Sequence, residues 1–214
     1  MIAPSVSGKL LHRGRLGLVA AALLAAGLVA GAGYLAARRS GGGGDDLASL
    51  GRGLDEVRLT SASGSEVRWG DLKGAPRAVF FGFTHCPVIC PVTVWELNDA
   101  LERVGPGADR IAITFVSLDP ARDTPERLGT YLASFGDRVT GYTSDEAAIA
   151  RLAGGFDVVY QRVDLENGDY TIDHTATVFL VDASGRVVDV IAHGSPPEII
   201  EARLRALAAG PNLD

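Results

Sequence analysis

The chain has 214 residues, 47% of them hydrophobic and 21% charged, and a formal net charge of −6. That composition suits a folded globular protein and excludes intrinsic disorder. An acidic chain is also a poor candidate for binding nucleic acid, whose phosphates repel it.

Residues 16–37, LGLVAAALLAAGLVAGAGYLAA, run for 22 residues without a charge. At about 1.5 Å per residue this stretch spans the roughly 30 Å of bilayer hydrocarbon and predicts a transmembrane helix. A cleaved signal peptide would carry a shorter apolar region, about 7–15 residues, so a retained anchor is the expectation. Lys9, Arg13 and Arg15 precede the run and Arg38 and Arg39 follow it. Residues 1–15 then form a cytoplasmic tail. No cysteine lies near the run, so a lipoprotein anchor is excluded. Residues 1–44 carry +5, which leaves −11 for residues 45–214. Residues 38–53, which include SGGGGDD, read as a Gly-rich flexible linker. Residues 54–210 read as one domain, placed outside the membrane in an oxidising compartment.

EVRLT (56–60) and EVRW (66–69) alternate around SASG and predict a β-hairpin. RAVFFGF (77–83) is a continuous apolar run, expected of a strand buried on both faces. PVTVWELNDALERVG (91–105) predicts a helix, with Val94, Leu97, Leu101 and Val104 on one face and Gly105 ending it. IAITFVSL (111–118) is a second buried strand. Thr124 and Pro125 open a further helix whose apolar face is Leu128, Leu132 and Phe135. Ser144 is expected to cap a short helix with Asp145 and Glu146 in its first turn. Two strands are predicted around Glu166-Asn167-Gly168, and two more around Ala183–Gly185. PPEIIEARLRALAAG (196–210) closes the pattern as a helix. The order predicts an α/β fold with a mixed central sheet flanked by helices. A cysteine pair between a central strand and a helix is the thioredoxin-like arrangement.

The only two cysteines, Cys86 and Cys90, lie in FGFTHCPVICP (81–91). A helix start favours thiolate over thiol, through free amides and the positive end of the helix dipole. Thiolates are both nucleophiles and metal ligands, so the position serves either use. The C-x-x-x-C spacing differs from the C-x-x-C of thioredoxin-type reductants. It is about one helical turn and can turn both sulfurs to one side. That suits a shared metal ion and leaves a Cys86–Cys90 disulfide open. No proline occurs between Pro125 and Pro196, so the cis-proline of thioredoxins has no counterpart. His174 stands near where that proline would be. Two thiolates and an imidazole suit copper or zinc, and three ligands leave a position open. His85 is read as modulating the site and His193 as structural or solvent-facing. Asp119-Pro120 either borders the site or only turns the chain.

FGFTHCPVICP, VSLDPARDTPERLGTYLASFG (116–136) and DYTIDHTATVFLVDASGRVV (169–188) together resemble the Sco/SenC family of membrane-anchored copper chaperones, over roughly residues 54–208. The resemblance implies a thioredoxin-like fold and a copper ion, Cu(I) or Cu(II), held by Cys86, Cys90 and His174. It implies delivery of copper to the binuclear centre of cytochrome c oxidase subunit II, or thiol reduction of that centre's cysteines by the Cys86–Cys90 pair. The implied partners are subunit II and another periplasmic copper carrier. The implied location is the bacterial inner membrane, crossed once, with the domain facing the periplasm. One position departs from the family: Val88 stands where an acid usually follows Cys-Pro. A peroxidase is a weaker alternative, because THCPVIC offers a reactive cysteine and little else.

Overall fold

A computed structural model of the chain describes Leu47 and residues 49–210. The predicted tail, the anchor at 16–37 and most of the linker lie outside the described residues. Among the described residues no helix is long and apolar enough to cross a membrane.

The strands are β1 (Arg58–Ser61), β2 (Glu66–Arg68), β3 (Arg77–Gly82), β4 (Ala112–Ser117), β5 (Val139–Thr143), β6 (Tyr160–Asp164), β7 (Tyr170–His174), β8 (Val178–Val181) and β9 (Val187–Ile191). Among the described residues, the helices of eight residues or more are α1 (Ile89–Val104), α2 (Pro125–Leu132), α3 (Glu146–Gly155) and α4 (Pro197–Ala209). Seven strands form one mixed sheet in the order β2-β1-β5-β4-β3-β8-β9. β3, β4 and β5 run parallel, and β8 joins β3 antiparallel. All but the first residue of β3 and of β4 are buried, as strands covered on both faces require. α1 packs on α4, and α2 packs on β5.

β6 and β7 form a separate two-stranded sheet, closed by Gly168 at φ 82° in the left-handed region. The pairing of Phe80 with Val178 brings the segment between β7 and β8 to the carboxyl end of β3. The Cys86 loop leaves β3 at that same end, where parallel α/β sheets hold their ligands.

Three local expectations shift. Trp69 opens a short 3-10 turn instead of closing β2, because its ring packs edge-on against Phe156, with centroids 5.4 Å apart. α1 begins at Ile89, two residues earlier than expected, so Cys90 lies inside its first turn. Asp145, not Ser144, caps α3: its carboxylate accepts the Ala148 amide at 2.8 Å. The Ser144 hydroxyl instead donates to the Arg58 carbonyl at 2.7 Å. Thr124 does cap α2, accepting from the Arg127 amide, with Pro125 as its first residue.

Candidate metal centre

The loop from Phe83 to Val88 joins β3 to α1 and carries Cys86; Cys90 is the second residue of the helix. Val88 is the residue before α1 and has no side chain able to cap it. The Cys86 sulfur takes that role, accepting the Cys90 amide at 3.3 Å. Cys86 is half-buried and Cys90 fully buried, and both are free thiols. A hydrogen bond from the Cys90 thiol, together with the amides of Cys90, Val88 and Ile89, lowers the Cys86 pKa to about 5 against an opposing cost of burial. The same contact and burial push Cys90 far up. The pair therefore loses its first proton from Cys86 and keeps the second on Cys90.

His174 ends β7 and meets Cys90 across 84 residues of sequence, with Nε2 3.8 Å from Sγ. Its Nδ1 lies 3.0 Å from the Thr175 carbonyl oxygen. A carbonyl only accepts, so Nδ1 carries the proton and the Nε2 lone pair faces the sulfur. Phe80 and Phe83 hold the ring edge-on, each with its centroid 6.0 Å away. With ligand bonds of about 2.3 Å to sulfur and about 2.1 Å to nitrogen, an angle near 120° separates such donors by about 3.8 Å. One ion fits between Cys90 and His174 at their present separation. The fixed imidazole is the arrangement that outer partners give to a ligating histidine.

Gly82 makes the approach possible. A Cβ there would lie 2.9 Å from Cys90 Sγ and 3.0 Å from both Phe115 Cζ and Phe80 Cε1. Asp123, fully buried, ties the loop down from behind. Its carboxylate accepts from the Thr84 amide at 2.9 Å, and from the Thr84 and Ser117 hydroxyls at 2.6 Å each. Asp119 is also buried, and binds Arg122 and the Tyr170 hydroxyl. Arg122 reaches on to the Tyr170 carbonyl at 2.9 Å and stacks on the Tyr170 ring at 3.5 Å. Asp119 thus fixes β7, the strand that ends in His174, and contributes more than a turn.

His85 does not join the sulfurs. Its Nε2 lies 2.9 Å from Arg127, whose guanidinium can only donate, so Nδ1 carries the proton and faces Thr84 Oγ1 at 3.3 Å. One potential ligand atom each from His85, Asp119 and Asp123 lie within 4.8 Å of one another. The carboxylates are already engaged by the donors above, so this group braces the cysteine loop instead of holding an ion. His193 is exposed beyond β9 and lines a small cleft with Thr93 and Ala176. Tyr131 has a buried hydroxyl without a partner, and burial, reinforced by charge on the cysteines and Asp123, pushes its pKa up. Gly82, Phe80, Phe83, Asp123 and Tyr131 were not among the residues picked out from sequence. Gly82 carried a usable signal, since a glycine inside a strand often marks a close approach.

Residues 53–209 match the family model described as SCO1/SenC. An SCO2-like protein of Rickettsia felis is 33% identical over 149 residues, which is 68% of this chain and 73% of the relative. The structure of Bradyrhizobium japonicum ScoI with copper bound is 38% identical, with a TM-score of 0.64 over 71% of this chain and 96% of that one. Arabidopsis thaliana ScoI, also with copper bound, is 25% identical, with a TM-score of 0.68 over 71% of this chain and 95% of that one.

Proposed function

The chain belongs to the SCO1/SenC family, and from that premise we propose that it is a membrane-anchored copper metallochaperone with Cys86, Cys90 and His174 as its copper ligands. Its acceptor is the binuclear copper centre of cytochrome c oxidase subunit II, and a second periplasmic copper carrier supplies it. The uncharged run at 16–37 anchors it in the bacterial inner membrane, with the domain in the periplasm. The observation that carries this reading is the His174 Nε2 to Cys90 Sγ separation of 3.8 Å, with the lone pair aimed at the thiol.

The chemistry follows from three donors of unequal exposure. Cys86 offers a thiolate near the surface and His174 is likewise half-buried, whereas Cys90 holds from inside. Two thiolates and an imidazole suit copper, and a three-ligand set leaves room for an acceptor's ligand to enter before Cys86 leaves. Copper supply tests delivery directly. Deleting the gene under copper limitation should abolish oxidase assembly, and added copper should restore it. Persistent loss in excess copper counts against delivery.

The asymmetry of the thiols favours a second reading, thiol–disulfide exchange. The Cys86 thiolate would attack a partner disulfide and release one partner thiolate. Cys90, giving up its proton, would then displace the other, leaving a Cys86–Cys90 disulfide and a partner reduced by two electrons. Failure of the reduced chain to reduce an oxidised subunit II fragment would remove this reading.

A further inference from the structure

α1 exposes an apolar stripe beside the thiols. Val88, Ile89, Val92 and Trp95 are 61%, 38%, 41% and 62% exposed. Ile89, Val92 and Trp95 lie at i, i+3 and i+6 on one side of the helix, and Val88 immediately precedes it. The core takes the opposite side, through Val94, Leu97 and Leu101. Single exposed apolar residues are ordinary, but four in a row, one of them tryptophan, form a patch. The patch starts between the two cysteines and ends at Trp95.

At Trp95 it opens into a groove of about 530 Å³ between α1 and the turn at 134–138. Glu102 and Asp137 line this groove, and neither has an ion-pair partner among the described residues. Arg138 also lines the groove, but it donates to the Ala108 carbonyl and reaches Asp109, and Arg103 nearby pairs with Asp99.

An apolar centre with a tryptophan anchor and a charged rim is the anatomy of a protein interface. Unpaired carboxylates select a cationic segment, and a guanidinium or ammonium can also stack on an indole face. The stripe borders Cys86, the thiol nearest the surface, so a protein seated on it reaches the metal ligands. We propose that this face docks the protein that accepts copper from Cys86, Cys90 and His174, and that this acceptor sets an apolar side chain on Trp95 and a lysine or arginine between Glu102 and Asp137. The proposal rests on the copper reading above.

The chain has two tryptophans, Trp69 buried and Trp95 exposed, so 5-fluorotryptophan labelling gives two fluorine resonances. The full chain in lipid nanodiscs is titrated with the reduced, metal-free soluble domain of the organism's oxidase subunit II. The Trp95 resonance should shift and saturate while Trp69 stays still. Trp95→Ala should weaken binding at least about tenfold. Glu102→Gln with Asp137→Asn should weaken it about threefold and flatten its salt dependence. Both variants should retain wild-type copper stoichiometry. Equal binding by Trp95→Ala overturns the docking face and leaves the copper reading intact. Copper uptake without any binding of the probe overturns both the acceptor and this face. A Trp95 shift that tracks chain concentration without probe, or lipid composition without probe, assigns the face to a second copy or to the membrane and overturns the proposal.

Discussion

The sulfur of Cys86 accepts the backbone amide of Cys90 at 3.3 Å, in the place of the side-chain cap that Val88 cannot supply. One atom is thus both the helix cap and the half-buried thiolate. Its pKa, lowered from 9.0 to about 5, means that the thiolate predominates at every pH above about 5. The rate of Cys86 alkylation, localised by mass spectrometry, should rise through pH 5 and level off by pH 7. In denaturant the same rise should move toward pH 9. A folded-state midpoint near 9 would contradict a thiolate held by the Cys90 thiol and the helix amides.

Val88 has a direct consequence for that thiolate. An aspartate at its position would compete for the helix amides and add negative charge beside the sulfur. Val88→Asp should raise the alkylation midpoint by about one pH unit. An unchanged midpoint would show that the helix amides add little to the lowering by the Cys90 thiol.

Gly82 leaves the space that Cys90 fills. Gly82→Ala forces a methyl group to within 2.9 Å of Cys90 Sγ, so the sulfur must move relative to His174. The variant should lose about 1–3 kcal/mol of stability by overpacking. Its copper affinity should fall by more than its stability loss accounts for, measured by competition with a chelator under conditions where the protein is folded.

Asp123 is a structural brace, so its loss should read out as unfolding first. Asp123→Ala leaves the Thr84 amide and two hydroxyls without their acceptor in a buried site. Urea denaturation should show a loss of about 2–4 kcal/mol. A loss below about 0.5 kcal/mol, the range of ordinary surface substitutions, would contradict the brace.

Much of this architecture was legible in the sequence, for identifiable reasons. β3 and β4 announced themselves as unbroken apolar runs, and α2 by Thr124 and Pro125, because these signals are local. Cys86, Cys90 and His174 could be nominated from spacing, an absent proline and the family resemblance. Ser144 was misread because two adjacent capping residues compete, and the choice falls to Asp145 once the Ser144 hydroxyl reaches β1. That β6 and β7 form a sheet of their own is a fact of long-range pairing that period-2 patterns do not encode. The roles of Gly82 and Asp123 depend on contacts with Cys90, Thr84 and Ser117 made only after folding.

The central claim is that His174 completes the copper site begun by Cys86 and Cys90. Copper(I) and copper(II) titration of the reduced chain, wild type against His174→Ala, tests it most directly. One ion per chain should bind the wild type. The variant should bind at least about tenfold more weakly, as loss of a ligand or its partner commonly costs, and should lose the imidazole contribution to the copper(II) spectrum. Equal affinity and an identical spectrum in the variant would contradict the three-ligand site.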